Sequence, residues 1–216
     1  MTGKFITFEG PDGAGKTTQM KMLGDRLIRE GMHVVYSREP GGTRISEEIR
    51  KILLDPTYGE MADRTEALLY AASRAQHVEE FIRPNVSAGK IVLCDRFADS
   101  TIAYQGAGRG IDCEVLAKLN NMATAGVIPD LTIILDIDPK DGITRISEKR
   151  VASTGRDKDR IELEHLDFHE RVRQGFLRIA VLEPNRCKVV DAVGERDIVH
   201  NRIFGLVKEV LENENP

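Results

Sequence analysis

Residues 10–18, with the sequence GPDGAGKTT, constrain the fold of this chain more than any other segment. They fit the pattern G-x-x-x-x-G-K-[ST], follow a short apolar run and lead into a helical pattern. In such a loop the glycines let consecutive N–H groups and a helix N-terminus face phosphate oxygens, while the lysine adds positive charge. The flanking strand and helix argue against a simple helix-capping turn. The sequence therefore predicts a nucleoside triphosphate site made of Gly10, Asp12, Gly13, Ala14, Gly15, Lys16, Thr17 and Thr18.

Short apolar runs alternate along the chain with longer segments that carry apolar residues at steps of three and four. The first pattern predicts strands and the second predicts amphipathic helices. We expect strands at residues 5–8, 34–36, 91–94, 131–137 and 189–190, and helices at residues 16–30, 44–54, 63–87, 112–124, 139–150, 162–183 and 195–211. This alternation predicts an α/β fold on a mostly parallel sheet with helices on both faces.

The composition limits the class of protein. The 216 residues are 41% hydrophobic and 31% charged, so we expect one globular domain over residues 1–216. A formal net charge of −4 gives no general attraction to nucleic acid or a membrane surface, and no run of about 18 apolar residues predicts a membrane span. The three cysteines are too widely spaced for metal or redox pairs, and an odd number cannot form a closed disulfide set. We therefore expect a cytoplasmic protein without nucleic-acid or membrane partners.

A Mg²⁺ ion that accompanies the triphosphate needs a carboxylate near Thr17, at the end of a strand beside the first one. Two apolar runs end in a carboxylate, one at Asp95 and one at Asp136. Asp95 is favoured because Arg96 follows it, which would place a metal ligand beside a guanidinium for phosphate oxygens. Asp136 is interpreted as a residue that ends a strand at a turn. Thr17 and Asp95 are thus the predicted metal ligands.

Three other segments invite weaker interpretations. Residues 149–160 are polar enough to form a mobile loop. Residues 106–110 (GAGRG) do not follow a clear strand and are interpreted as a flexible turn, not a dinucleotide loop. His165 and His169 lie four apart on a predicted helix without a third ligand, so we expect both to be solvated.

Several separate blocks of the sequence resemble thymidylate kinases, in particular the bacterial and archaeal type. The blocks follow the family's order and are residues 5–18, 38–43 (REPGGT), 68–77 (LLYAASRAQH), 95–97 (DRF), 100–106 (STIAYQG) and 159–162 (DRIE). The resemblance implies a P-loop NTPase-type fold with a five-stranded parallel sheet, a small lid over ATP at residues 149–160, and a homodimer. It also implies transfer of the γ-phosphoryl group of ATP to dTMP, giving dTDP and ADP for dTTP biosynthesis, with Mg²⁺ as cofactor.

The same resemblance implies roles for individual side chains at the acceptor. Asp12 corresponds to the loop carboxylate near the 3′-hydroxyl of the sugar, and Arg38 and Arg96 correspond to the pair that grips the acceptor phosphate. Taken alone, Arg38 could equally be a solvated charge.

Further residues are implied to bind the nucleoside. Tyr70 would stack on thymine, Arg74 would reach the base O4, and Tyr104 would crowd the 2′ position of the sugar. Tyr70 and Arg74 are four apart in a helical pattern and so share a face, although ordinary surface packing also gives such pairs. Tyr104 alone could be a core aromatic. Contacts near the base are implied for Ser100, Thr101 and Gln105.

A phosphate acceptor also explains why no catalytic base is visible in the sequence. The second pKa of a phosphate monoester is about 6, so the attacking oxygen is already anionic at pH 7. Catalysis then consists of aligning and neutralising two polyanions, for which Lys16 and Arg96 are predicted.

The family also uses an arginine from the phosphate loop or from the lid. The loop interior here has no basic residue, so the lid should supply it. Arg150 and Arg156 are preferred over Arg160, and all three could instead be solvated charges.

Two alternatives remain open from the sequence. One is a kinase of the same fold that acts on another nucleoside monophosphate or on a deoxynucleoside. The other is a regulatory ATP-binding protein or P-loop switch, although no N-K-x-D motif is present and an acceptor-phosphate pair has no use in a switch.

Overall fold

The computed structural model describes residues 3–152 and 158–212. Its strands are β1 (Lys4–Glu9), β2 (Val34–Arg38), β3 (Ile91–Asp95), β4 (Leu131–Asp136) and β5 (Cys187–Asp191). They form one five-stranded sheet in the order β2-β3-β1-β4-β5, and every neighbouring pair is parallel. The predicted parallel α/β fold is confirmed.

The central strands are buried on both sides because their apolar residues alternate between two cores. Ile6 and Phe8 of β1 pack into a core with α1 (Lys16–Arg29) and α9 (Arg196–Glu212), whereas Phe5 packs on the opposite face. In β4, Ile133 joins the first core and Ile134 joins a cluster on the opposite face. The near-continuous apolar runs seen in the sequence are therefore what a strand covered on both faces requires.

The remaining helices cover the opposite face of the sheet or pack against the helices that cover it. They are α2 (Arg44–Leu54), α3 (Asp63–His77), α4 (Arg83–Ser87), α5 (Ala98–Thr101), α6 (Cys113–Thr124), α7 (Pro139–Ala152) and α8 (Leu166–Leu182). The helix predicted over residues 63–87 is present as α3 and α4, joined by a π-helical stretch at Val78–Ile82.

The helical segment over residues 98–108 has no counterpart among the predicted elements. It consists of α5 and a π-helical stretch at Ile102–Gly108, so the flexible turn expected at residues 106–110 is wrong up to Gly108. A Cβ on Gly108 would lie 2.6 Å from the ring of Phe168. The glycine thus permits close packing of this segment on α8.

The expectation for the two histidines of residues 162–183 is half right. His165 is exposed at the start of α8, but His169 is only 5% exposed and its Nε2 has no hydrogen-bond partner within the described residues. His169 faces inward because its neighbour Phe168 anchors α8 to the core.

The topology fixes where a ligand can bind. Strand β1 lies between β3 and β4, and the connections from these strands diverge at their carboxyl ends, where open α/β sheets bind ligands. Within residues 3–152 and 158–212, no helix is both long and apolar enough to cross a membrane.

Candidate active site

The phosphate loop lies between β1 and α1 at the carboxyl edge of the sheet. Gly10 and Gly13 have φ values of 123° and 79°, which L side chains rarely adopt. A Cβ on Gly10 would collide with the carbonyl of Leu135 in β4, and one on Gly13 would collide with the carbonyl of Gly142 in α7. The first turn of α1 carries no acidic residue, so its free N–H groups form a site for an anion.

Lys16 supplies the positive charge of this loop. Its ammonium donates to the carbonyl oxygens of Gly10 at 3.0 Å and Pro11 at 2.8 Å. Burial, together with the charge of Arg96, lowers the pKa of Lys16 to about 8. Most Lys16 side chains are therefore charged at pH 7, and the ammonium lies within the loop that would surround phosphate groups.

Thr17 and Asp95 meet as the sequence predicted, with the Thr17 hydroxyl donating to Asp95 Oδ2 at 2.5 Å. The competing carboxylate, Asp136, is occupied by two hydrogen bonds from Arg173, at 2.7 and 2.8 Å. A hydroxyl and a carboxylate are hard oxygen ligands, which suit Mg²⁺. No cluster of three or more His, Cys, Asp or Glu side chains in the described chain could hold a metal alone. The donor set thus suits a Mg²⁺ ion that keeps water and substrate phosphates as its other ligands.

Arg96 stands at the centre of the cleft, in the turn that follows β3. Its φ of 73° lies in the left-handed region, so the backbone here is held in an uncommon conformation. Nη1 donates to the Gly10 carbonyl and to Ser100 Oγ, both at 3.1 Å, and Nη2 donates to Asp12 at 2.6 Å and to the Tyr104 hydroxyl at 2.8 Å. The guanidinium is therefore fixed beside the phosphate loop.

Asp12 and Tyr104 complete this arrangement. The Tyr104 hydroxyl donates to Asp12 Oδ2 at 2.9 Å, and its ring lies 4.8 Å from the Arg96 guanidinium carbon. Burial opposes ionisation of Asp12, but Arg96 and Lys16 outweigh it and hold the pKa of Asp12 well below its ordinary value. The cleft thus keeps a permanent carboxylate between two cations, with a tyrosine hydroxyl aimed at it.

These groups line a cleft of about 350 Å³ that extends from the phosphate loop to α3. Tyr70 lines its wall from α3 and is half-buried. Arg38 also lines it, although its side chain is 54% exposed and donates to both carboxylate oxygens of Glu47 at 3.0 Å. The other predicted site residues that line the cleft are Asp12, Gly13, Gly15, Lys16, Thr17, Thr18, Asp95, Arg96, Ser100, Thr101, Tyr104 and Gln105.

The comparisons with known proteins agree with this geometry. The family model described as thymidylate kinase matches residues 8–203. A thymidylate kinase of Pelotomaculum thermopropionicum is 53% identical over 212 residues, which cover 98% of this chain and 96% of that protein. One of Exiguobacterium sibiricum is 52% identical over 192 residues, which cover 89% of this chain and 88% of that protein. The chain belongs to the thymidylate kinase family.

A solved member of the family has the same fold. The crystal structure of the thymidylate kinase from Ehrlichia chaffeensis superposes with a TM-score of 0.77 at 36% sequence identity, over 96% of this chain and 100% of that one. The P-loop NTPase-type fold and the class of ATP-dependent nucleoside monophosphate kinase are thereby established.

Arg74 is not brought to the cleft wall with the other predicted residues. It is 1% exposed, and its guanidinium donates to Glu39 and Asn120 at 2.8 Å, to Thr101 at 2.9 Å and to the Phe97 carbonyl at 3.1 Å. These bonds hold the cleft wall from behind. The contact between Arg74 and the base O4 of this family's substrate stays a prediction.

The predicted lid arginines are placed only in part. Arg150 lies in the last turn of α7, and Arg156 lies outside the described residues. Arg160 is buried, contacts Glu66 and donates to the carbonyl of Leu53 at 3.1 Å. Arg160 is thus held by Glu66 and the Leu53 carbonyl, and the choice of Arg150 and Arg156 for the transferring phosphoryl group stays a prediction.

Sequence reasoning missed two buried acids that support the cleft. Glu66 accepts from Gln105 at 2.8 Å and from Arg109 at 3.1 Å. Glu39 accepts from Arg74, as described, and bonds His77 Nδ1 at 2.9 Å. The i,i+4 spacing of Glu66 and Tyr70 places both on one side of α3 and was the one local signal available.

Proposed function

We propose that this enzyme transfers the γ-phosphoryl group of ATP to the 5′-phosphate of dTMP, giving dTDP and ADP for dTTP biosynthesis. The position of Arg96 carries the proposal. Its guanidinium lies in the same cleft as the phosphate loop and donates to the Gly10 carbonyl of that loop. A cation fixed there suits a second phosphate, that of the acceptor, beside the phosphates of ATP.

The cleft's charge suits a reaction between two polyanions. Lys16, Arg38 and Arg96 supply positive charge along its length. No base has to be found, because the acceptor phosphate is a dianion above its second pKa of about 6. The chain's own work in this step is to hold both phosphates in line and to reduce their repulsion.

Mg²⁺ belongs to the proposal as cofactor. Thr17 and Asp95 would hold it, and it would supply further neutralisation of the ATP phosphate oxygens.

The nucleoside contacts are proposals that rest on the family resemblance. Tyr70 stacks on thymine, and Tyr104 restricts space near the sugar 2′ position. The Asp12 carboxylate lies near the 3′-hydroxyl. Tyr104 suits this task because its ring is 7% exposed and held at both ends, by Arg96 at the hydroxyl and by Phe176 at the ring. A ring held in this way cannot move aside at low cost for an extra hydroxyl.

The assignments of Arg150 and Arg156 to the transferring phosphoryl group, of residues 149–160 to a lid and of residues 1–216 to a single domain are likewise proposals. So is a cytoplasmic location, which three unpaired thiols would suit.

A homodimer is proposed on one surface observation. Helix α3 packs between α2 and α6, and this three-helix layer presents exposed apolar side chains to solvent. They are Ile45, Leu68, Val115 and Met122, of which Met122 is 82% exposed. Sedimentation at several concentrations would test the association.

ATP consumption by the pure protein with Mg²⁺ tests the function directly. The acceptors to compare are dTMP, dUMP, UMP, dCMP, dGMP and AMP, with thymidine as a control whose acceptor is a hydroxyl. Strong preference for dTMP is expected. Preference for another monophosphate would retain the mechanism and overturn the roles of Tyr70 and Tyr104, whereas ATP binding without any acceptor would favour a regulatory protein.

A further inference from the structure

One buried carboxylate beside the cleft has no part in the mechanism above. Glu9 is the last residue of β1, directly before the phosphate loop, and its side chain is fully buried. Oε1 accepts from the backbone N–H of Phe97 at 2.7 Å, and Oε2 accepts from the Ser100 hydroxyl at 2.6 Å. Glu9 therefore ties the end of the central strand to the segment that carries Arg96.

The bonds of Glu9 hold the segment that directly follows the turn at Arg96. Phe97 follows Arg96 directly, and Ser100 lies in the first turn of α5. The Arg96 N–H also donates to the Phe8 carbonyl at 2.9 Å, so β1 holds the turn at two successive residues. Such support suits a turn whose central residue has a φ of 73°.

The Ser100 hydroxyl links Glu9 to the guanidinium itself. It donates its proton to Glu9, which leaves its lone pairs free to accept from Arg96 Nη1 at 3.1 Å. The nearest direct approach between the two charged groups is 4.0 Å, from Arg96 Nη1 to Glu9 Oε2. The hydroxyl is oriented this way because an ionised carboxylate can only accept.

We propose that Glu9 is a positioning residue for the acceptor phosphate: its carboxylate fixes, through Phe97 and the Ser100 hydroxyl, the direction in which Arg96 presents its guanidinium. This inference rests on the proposed function, because it takes Arg96 as the group that binds the acceptor.

The role requires the ionised form of Glu9, and its surroundings oppose that form in part. Asp99 faces it from α5, whereas Arg96 in the turn and Lys16 of α1 carry the opposite charge, and Cys94 of β3 lies nearby. Burial, and then the charge of Asp99, raise the pKa of Glu9 to about 7. A proton gained below that pH would remove the negative charge that faces Arg96.

The decisive variant is Glu9→Gln, which keeps the size of the side chain and an oxygen for the Phe97 N–H. At pH 8 we expect KM for dTMP to rise about tenfold, the scale of a weakened charge-assisted contact. The KM for ATP at saturating dTMP should change less than about twofold, because the phosphate loop is unaltered. Calorimetric binding of dTMP without ATP should show the same loss of affinity.

The pH profile separates positioning from a general structural effect. The ratio of kcat/KM for dTMP between wild type and Glu9→Gln should fall toward one as the pH is lowered from 8 to 6. Ionisation of the dTMP phosphate cancels in this ratio, because both enzymes use the same substrate. Asp99→Asn is the matched control: it removes a buried acid bonded to Arg186 instead of Arg96, and should keep KM for dTMP at pH 8 within twofold.

If Glu9→Gln does not fold, Ser100→Ala tests the same hydrogen-bonded link from Glu9 to Arg96. The double variant Glu9→Gln/Ser100→Ala tests whether the two residues act through one another. If Glu9 acts through the hydroxyl, the double variant should lose little more dTMP affinity than either single one. The role of Glu9 would be overturned if the losses of dTMP affinity in the two single variants multiplied in the double variant. It would also be overturned if Glu9→Gln left KM for dTMP unchanged or raised KM for ATP equally. A kcat/KM ratio between wild type and Glu9→Gln that does not change with pH would overturn it too. Absence of any dTMP turnover by the wild type would instead overturn the proposed function itself.

Discussion

Glu9→Gln should stabilise the folded protein at alkaline pH even though it is expected to weaken substrate binding. The pKa of Glu9 rises from 4.5 to about 7 on folding, chiefly because the carboxylate is buried. An acid with a raised folded-state pKa binds its proton more tightly in the folded state, so the free energy of unfolding falls as the pH rises from 4.5 to about 7.

The size of the effect follows from that difference of about 2.5 pH units. At about 1.36 kcal/mol per unit, ionisation of Glu9 costs the folded state about 3 kcal/mol above pH 7. Glutamine never ionises, so the free energy of unfolding of Glu9→Gln should exceed that of the wild type by about 3 kcal/mol at pH 8. At pH 4.5 the two free energies should be nearly equal. In a chain of this length the gain corresponds to about 6–12 °C in Tm.

Urea unfolding at several pH values, followed by circular dichroism, measures this quantity; the chain has no Trp to serve as a fluorescent probe. The wild type should lose stability relative to Glu9→Gln across pH 5 to 7, with no further divergence at pH 8 and above. A difference that does not depend on pH, or a variant less stable than wild type at pH 8, would refute the reasoning.

Three further predictions concern other parts of the cleft. Glu39→Gln should cost about 3 kcal/mol of unfolding free energy in denaturant titration, because it leaves the buried Arg74 without its counter-charge at 2.8 Å; a loss below about 1 kcal/mol would contradict this. Tyr104→Ala should narrow the ratio of kcat/KM between dTMP and its ribose analogue, and an unchanged ratio would exclude the steric role. Arg150→Ala or Arg156→Ala should lower kcat far more than either KM in steady-state kinetics, since the contact forms in the transition state; if neither does, the lid assignment fails.

The parts of the site that sequence could predict are those set by neighbouring residues. The phosphate loop is a contiguous pattern, and its strand and helix are read from local periodicity. Asp95 could be chosen over Asp136 because strand ends meet at one edge and Arg96 follows directly. In the structure Asp95 accepts from Thr17 and Asp136 is paired with Arg173, while the role of Asp95 as a Mg²⁺ ligand stays a prediction.

The parts that sequence could not predict depend on contacts between distant segments. The helical stretch around Gly108 has little periodicity of its own and two glycines that usually disfavour helix; packing on Phe168 stabilises it. Arg74 shares a face with Tyr70, as the spacing indicated, but spacing says nothing about depth. The acid that pairs with Arg74 is Glu39, which lies 35 positions away in the chain and is invisible to local spacing.

Two of the buried glutamates, Glu39 and Glu9, differ in how closely a guanidinium compensates their charge. Glu39 touches Arg74 directly at 2.8 Å, so its charge is compensated and the isosteric change to glutamine should destabilise. Glu9 stands 4.0 Å from Arg96, whose Nη2 is already shared by Asp12 and Tyr104. The same change should therefore stabilise there. Because Asp12 already neutralises Arg96 at 2.6 Å, the more distant Glu9 gains little compensation from that guanidinium, and burial together with Asp99 raises the pKa of Glu9 to about 7.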